Sequence, residues 1–295
     1  MHPGRPSETA ARIAVNAVAA ALDPELRLLL ADPEEPYSRW FAEEHSPQAR
    51  QQIALWRQGA SVMRKLSDAI EPGGALFVLA RKLWIEERAR RALEQGLTQM
   101  AVMGAGYDPL ALRLARAFPA ASLWELDHPD TQAVKRRALE KHEGLPASLS
   151  LLPADLAREP PDVVLAGAGW DARRPAVALA EGVVMYLDEA QLGALLASLA
   201  RALAPGSRLL LTMMDARKLR DAGGATARTA MLLKASGEPL RSSIDPGEVP
   251  AFLSSQGFRA LEVADAAALK AAYLDPRGIA RPLSEGEFLV AAERA

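Results

Sequence analysis

The sequence contains no cysteine, which excludes disulfides, thiolate nucleophiles and most structural zinc sites. Histidine is nearly as scarce: the four present (His2, His45, His128 and His142) show no metal-ligand spacing, so no metal is expected. An excess of charge of one sign is lacking too. Against 35 Lys and Arg stand 37 Asp and Glu, which leaves no electrostatic case for a nucleic-acid or anionic-membrane partner. Nor is there a long apolar run near the start. The alanine-rich opening is interrupted by Arg12, Asn16, Asp23 and Glu25 and makes neither a signal peptide nor a membrane span. A cytoplasmic protein is the expectation.

What remains is an ordinary globular composition, 49% hydrophobic and 24% charged over 295 residues, enough for one large domain or a domain with a cap. Its organising stretch runs from Gln99 through Gly104, Ala105, Gly106 and Tyr107 to Asp108. The apolar run Met100 to Met103 breaks into a glycine turn, followed by Pro109 and then Leu110, Leu112 and Leu114 among charged residues. That pattern predicts a buried strand, a tight turn and a helix capped by Asp108 with Pro109 at its first position. Ser122-Leu-Trp-Glu125-Leu-Asp127 then predicts a second strand ending in two carboxylates. Glycines let the backbone approach a ligand, and an acid at the next strand end can hold a ribose diol, so a nucleoside-cofactor site is expected. A dinucleotide fingerprint would place a third glycine at position 109, where a pyrophosphate meets the helix end. Proline stands there, and Asp108 puts negative charge where the pyrophosphate would sit. The spacing favours a cofactor without phosphates and with a positive end, S-adenosylmethionine, over NAD or FAD.

Residues 1–6 are Pro/Gly-rich and read as a loose tail. Helices are predicted from Ser7 to Asp23-Pro24, over Leu26 to Leu30 before Asp32-Pro33, over 38–70 with a break at Ser46-Pro47, and over 75–95 after Glu71-Pro72-Gly73-Gly74. With no strand pattern, residues 1–95 are expected to form an N-terminal helical lid over the cofactor mouth; plain packing on the outside of the sheet is the alternative. Residues 96–295 form the cofactor-binding domain. Strands at 99–104, 122–127, 149–154, 176–185, 207–214, 258–264 and 286–293 alternate with helices at 109–117, 129–142, 188–204, 215–235 and 246–256. The expected fold is α/β: a Rossmann-like, mostly parallel seven-stranded sheet with an antiparallel C-terminal edge. The polar segment 215–250 reads as a substrate insert. Ala166-Gly-Ala-Gly169 nearly repeats the glycine turn, but Pro175 soon after it bars the helix a cofactor loop would open onto, so it reads as a loop.

Sites in open α/β sheets lie beyond the carboxyl ends of the strands. Those ends carry Gly104, Ala105, Gly106 and Asp108, then Glu125 and Asp127, then Asp155 and Leu156, then Glu181. Asp127 is placed to accept from ribose hydroxyls. Asp155 is placed to accept from the adenine amino group while Leu156 covers the ring, and Glu181 to face the ammonium or sulfonium end. Each acid alone could equally cap a helix at a strand–helix turn.

Several of these segments resemble one family. Met103-Gly-Ala-Gly-Tyr-Asp108 with Arg113-Leu114, Glu125-Leu-Asp127-His-Pro129, Ala154-Asp155-Leu156, and Arg174-Pro175 followed by Ala180-Glu-Gly-Val-Val-Met-Tyr186-Leu187 are similar, in order and spacing, to the leucine carboxyl methyltransferases. The resemblance covers residues 7–215. These are class I S-adenosylmethionine-dependent methyltransferases, with bacterial members acting on polyketide or other small carboxylates. The resemblance implies that Arg81, in Ala80-Arg81-Lys-Leu-Trp-Ile85, pairs with the cofactor's carboxylate and that Tyr186 lies near the methyl group. It also implies cofactor contacts from Gly104, Asp127, Asp155, Leu156 and Glu181. Two positions depart from the pattern: Pro109-Leu110 stand where Thr-Arg is common, and Ile85-Glu86 where Ile-Asp is common. The missing arginine bears on the substrate side.

A carboxylate acceptor is already ionised at pH 7 and needs no general base, which agrees with the lack of an obvious His–Asp dyad. The expected function is therefore S-adenosylmethionine-dependent O-methylation of a small-molecule carboxylate to its methyl ester. Two alternatives stand beside it: an NAD-dependent oxidoreductase, opposed by Pro109 and by the missing Tyr-x-x-x-Lys pair, and a non-catalytic S-adenosylmethionine-binding protein. The identity of the acceptor and the oligomeric state are not legible.

Overall fold

Four helices precede the first strand, each bounded by a residue that cannot continue it. In the computed structural model, which describes residues 6–31, 34–70, 72–221, 224–235 and 239–295, α1 (Glu8–Leu22) begins where the Ser7 hydroxyl accepts from Ala10 N and ends at Asp23, ahead of Pro24. Helices α2 (Glu35–His45) and α3 (Pro47–Ile70) divide at Ser46-Pro47, and α3 kinks at Gly59. Helix α4 (Gly74–Glu94) starts after Gly73, whose φ of 73° only glycine adopts readily. Of the expected breaks, Asp32-Pro33, Glu71 and residues 1–5 of the tail lie outside the described residues.

Strands and helices then alternate: β1 (Gln99–Met103), α5 (Leu110–Ala117), β2 (Ser122–Asp127), α6 (Pro129–His142), β3 (Leu149–Pro153), α7 (Pro161–Ala166), β4 (Val177–Ala180), α8 (Glu189–Ala202) and β5 (Arg208–Met214). After them come α9 (Ala216–Arg220), α10 (Ala225–Ala235), α11 (Val249–Ser255), β6 (Phe258–Ala264), α12 (Ala266–Leu269) and β7 (Glu287–Arg294). The seven strands form one sheet in the order β3-β2-β1-β4-β5-β7-β6. β1 to β5 pair in parallel, and β7 runs antiparallel between β5 and β6. The antiparallel edge is as expected, except that the last strand is inserted inside it and β6 takes the rim. The order reverses between β1 and β4, and crevices for ligands open at such switch points.

Strand residues alternate between two cores. Met100 and Val102 of β1, Leu123 of β2, and Val177 and Leu179 of β4 join the cluster built with α1 to α5. Ala101, Met103, Trp124, Leu126, Ala178 and Ala180 join the opposite cluster with α7, α8 and α11. The N-terminal helices thus share one apolar cluster with a full face of the sheet. No helix among the described residues is long and apolar enough to cross a membrane.

Two expected elements change. The strand at 176–185 stops at Ala180, because Gly182 (φ 63°) turns the chain and its N–H donates to Thr212 Oγ1 at 2.7 Å. A 3-10 turn, Val184–Tyr186, follows. The helix at 215–235 is two, α9 and α10, with residues 222–223 between them outside the described residues. Helices α7 and α12 were not foreseen; both are too short to show a helical period.

Trp84 of α4 is 1% exposed in the first cluster, donates to Glu262 Oε1 of β6 at 3.1 Å, and lies under the Arg88 guanidinium at 3.9 Å. Trp84→Ala is expected to cost about 3–5 kcal/mol, read as a lower denaturant midpoint at unchanged slope. A loss under about 1 kcal/mol would mean that α4 lies outside the cooperative core.

Candidate active site

The glycine turn requires glycine twice. Gly104 and Gly106 have φ of 65° and 51°. A Cβ on Gly104 would lie 2.3 Å from Val183 Cγ2, and one on Gly106 would lie 3.3 Å from Ala10 Cβ. The segment after β4 and helix α1 therefore both close onto this turn. Gly104 N donates to Leu126 O at 2.7 Å, which ties the turn to the end of β2. Asp127 completes the tie: Oδ2 accepts from Gly106 N at 2.5 Å and Oδ1 from His128 N at 2.6 Å. Burial pushes Asp127 above the usual carboxylate range, and the two backbone donors only partly oppose it. Each oxygen keeps a further lone pair.

Asp108 caps α5 as expected, Oδ1 accepting from Leu110 N at 2.8 Å, although Pro109 sits at the cap position and the helix opens at Leu110. Its other oxygen pairs with Lys82, and its carbonyl accepts from Lys135 Nζ at 2.6 Å. Burial alone would raise the Asp108 pKa; the Lys82 ammonium overrides it and holds the group at about 2.

Arg81 and Lys82 are neighbours on α4, and both are buried. Arg81 donates from Nε to Glu181 Oε1 at 2.8 Å and from Nη1 to Glu287 Oε2 at 2.7 Å. Lys82 Nζ lies 4.0 Å from the same Glu181 oxygen. Two cations thus bridge the glycine turn, the end of β4 and the start of β7. Burial disfavours both cations, yet the facing carboxylates push both pKa values up. Glu181 Oε2 is buried and finds no partner among the described residues.

Beneath this cluster, Arg113 donates to both oxygens of Glu86, at 2.9 and 2.6 Å, and lies 3.8 Å from Glu34 Oε2. Glu34 is 2% exposed. Burial, opposed first by Lys82 and reinforced by Asp108, pushes its pKa to about 7. Glu86 therefore serves this buried pair. Leu110, at the other departure from the family pattern, is 3% exposed and packs into the first core.

Not every expected residue joins the cluster. Glu125 is 1% exposed, with Lys135 Nζ 2.6 Å from its Oε2 but poorly aligned for a hydrogen bond; burial raises its pKa nonetheless. Asp155 serves its own turn, accepting from Ala157 N at 3.1 Å and facing Arg158 at 3.6 Å, and Leu156 is partly buried against the second core. Ala105 is buried in the turn. Tyr186 lies on the 3-10 turn beyond Glu181, where Arg241 N and Ser242 N donate to Met185 O at 2.7 and 3.2 Å. Part of the 215–250 segment thus runs beside Tyr186. Lys82, Glu287 and Glu34 were missed. Lys82 carried the one available signal, its adjacency to Arg81. Glu287 had none, because only the antiparallel pairing Met214↔Glu287 brings it to the end of β5.

A family model described as leucine carboxyl methyltransferase matches residues 11–200. The chain belongs to the leucine carboxyl methyltransferase family. A provisionally named S-adenosyl-L-methionine-dependent methyltransferase of Parafrankia sp. (strain EAN1pec) is 32% identical over 189 residues, covering 63% of this chain and 59% of that protein. One from Bacillus subtilis (strain 168) is 28% identical over 183 residues, 61% of this chain and 60% of its own length. The chain thus spans under two thirds of the length of these relatives. A solved structure of a provisionally named methyltransferase from Thermobifida fusca YX has a TM-score of 0.61 at 17% identity, covering 99% of this chain and 97% of that one. It shares the class I methyltransferase fold.

The folded protein binds the Glu34 proton more tightly than the unfolded chain, whose carboxyl keeps the ordinary value of 4.5. The resulting stability is fully present below pH 4.5 and lost as the pH rises through about 7. Relative to Glu34→Gln, the wild type is expected to lose on the order of 3 kcal/mol across that window, measured by urea unfolding at several pH values. Parallel curves for the two proteins would mean that Arg113 keeps Glu34 ionised.

Proposed function

We propose that this family member is an S-adenosylmethionine-dependent O-methyltransferase that converts a small-molecule carboxylate to its methyl ester. Three features of the site suit that cofactor. Asp127 has lone pairs to spare for a ribose diol beside a glycine turn that bares its backbone. Glu181 Oε2 is a buried acceptor in want of a donor, as an ammonium group would be. Arg81, Lys82, Asp108, Glu181 and Glu287 sum to two cations against three carboxylates, an excess of negative charge that favours a cationic ligand.

In this reading Arg81 takes the cofactor's carboxylate, Glu181 its ammonium, and Asp127 its ribose; Gly104, Ala105 and Gly106 border it, and Asp108 holds the turn. Asp155 and Leu156 flank the adenine, and Tyr186 stands on the acceptor side. The cofactor, when bound, supplies an electrophilic methyl on a sulfonium, so the ester bond forms as the carbon–sulfur bond breaks, the electron pair stays on sulfur and no proton moves. The chain's own task is alignment and the exclusion of water. We read residues 1–95 as a lid: Ser7 N donates to Thr131 Oγ1 at 3.0 Å, and His45 Nδ1 lies 2.9 Å from Tyr107 OH. Both contacts hold the lid against the glycine turn and its neighbour α6.

The observation that carries the acceptor class is where the histidines are spent. Among the described residues, His45 holds Tyr107, His128 caps α6, and His142 stacks on Trp40 at 4.2 Å. An acceptor that arrives already ionised suits such a site.

Calorimetric titration is expected to show micromolar binding of S-adenosylmethionine and S-adenosylhomocysteine but not NAD, with Asp127→Ala binding neither; NAD binding alone would sink the cofactor assignment. The methylated product is expected to release methanol in mild base, as an ester does, with turnover nearly flat from pH 6 to 9 because the acceptor is ionised throughout. A base-stable product with turnover rising with pH would point to a phenol or alcohol acceptor instead.

A further inference from the structure

We propose that Glu287 is a positioning residue for the cofactor's carboxylate: it holds the Arg81 guanidinium so that Nη2 stands ready to receive that group. This rests on the S-adenosylmethionine reading above, in which Arg81 takes the carboxylate. A guanidinium offers five N–H donors in a planar fork. Arg81 commits Nε to Glu181 Oε1 at 2.8 Å and Nη1 to Glu287 Oε2 at 2.7 Å. Nη2 has no hydrogen-bond partner among the described residues and lies beside Gly182, where a Cβ would be 3.9 Å from it. Anchors on two different nitrogens fix the plane of the fork, whereas a single anchor leaves it free to swing.

Glu287 is itself fixed by its neighbours. It is the first residue of β7 and pairs with Met214 at the end of β5. The carbonyl of Gly286 accepts from Asp215 N at 3.0 Å, and a Cβ on Gly286 would lie 2.8 Å from Thr226 of α10. The start of β7 is thus held between β5 and α10. The two acids that flank Gly286 then divide: Glu285 pairs with Lys218 and Glu287 with Arg81. Glu181 is a shared anchor, because Lys82 Nζ lies 4.0 Å from the same oxygen, whereas Glu287 meets Arg81 alone among the described residues. The Glu287 side chain is also the more solvated, 24% exposed against 9% for Glu181. Water screens its charge, so it repels an incoming carboxylate less than a fully buried acid would. With the fork fixed on folding, binding does not bear the cost of ordering a long side chain.

The test is calorimetric titration of the full chain with S-adenosylhomocysteine and with its decarboxylated counterpart, which keeps the amine. The wild type is expected to prefer S-adenosylhomocysteine on the order of tenfold. Glu287→Ala is expected to erase most of that preference by weakening S-adenosylhomocysteine alone. Glu287→Gln, which keeps an acceptor for Nη1, is expected to restore most of it. An undiminished preference in Glu287→Ala overturns the proposal. So does an equal loss for both ligands, which would place Glu287 on the amine or in a purely structural role. A Glu287→Gln variant as impaired as Glu287→Ala overturns it too, since charge rather than the held geometry would then be at work. If the wild type binds both ligands equally, this proposal falls and the S-adenosylmethionine reading stands; if it binds neither, both fall. Should Glu287→Ala not fold, Glu287→Asp, one methylene short of Arg81, decides in its place: an undiminished preference there overturns the proposal.

Discussion

Two adjacent buried cations on one helix, Arg81 and Lys82, hold the site together. Desolvating two charges is unfavourable, and removing one partner of such a cluster strands the others without compensation. The cations are tolerated because Asp108, Glu181 and Glu287 meet them from three separate segments. That pairing binds the N-terminal helices to the glycine turn, to the end of β4 and to the start of the last strand. The same apolar cluster that packs α1 to α4 on the sheet fixes where α4 can carry its cations.

The cluster is unbalanced towards negative charge. Its carboxylates outnumber its cations, and Glu181 retains a buried oxygen without a donor. Below it, Arg113 is taken up by both oxygens of Glu86, so Glu34 gains little from that guanidinium and burial pushes its pKa up to about 7. Helix α1 closes over Gly106 from one side and Val183 over Gly104 from the other. Helix α1 and the segment beyond β4 thus flank the glycine turn on its two sides.

Much of the framework was legible before any coordinates. Apolar runs of strand length, each bounded by Gly, Pro or Asp, announced β1, β2, β3 and β5, and the Gly104-Ala-Gly106 turn announced the site's centre. The acids at strand ends were less readable. Asp127 reaches the turn, yet Asp155 spends its carboxylate on its own backbone and Glu125 faces Lys135 inside the core. All three stand at or near the carboxyl end of a strand, and only the neighbour that each side chain meets tells them apart. The strand expected at 176–185 failed for a local reason: apolar residues continue past Ala180, but Gly182 leaves the extended region and the ladder stops.

The sequence by itself determined the order of elements, the parallel sheet and the glycine turn, because these depend on local periodicity and on backbone freedom at named positions. Tertiary structure alone decided the partners. β7 slips between β5 and β6 and carries Glu287 to Arg81 across 206 residues; Lys82 faces Asp108 because α4 packs against the turn. Burial and distance assign these roles, and neither is a property of a stretch of chain read in order.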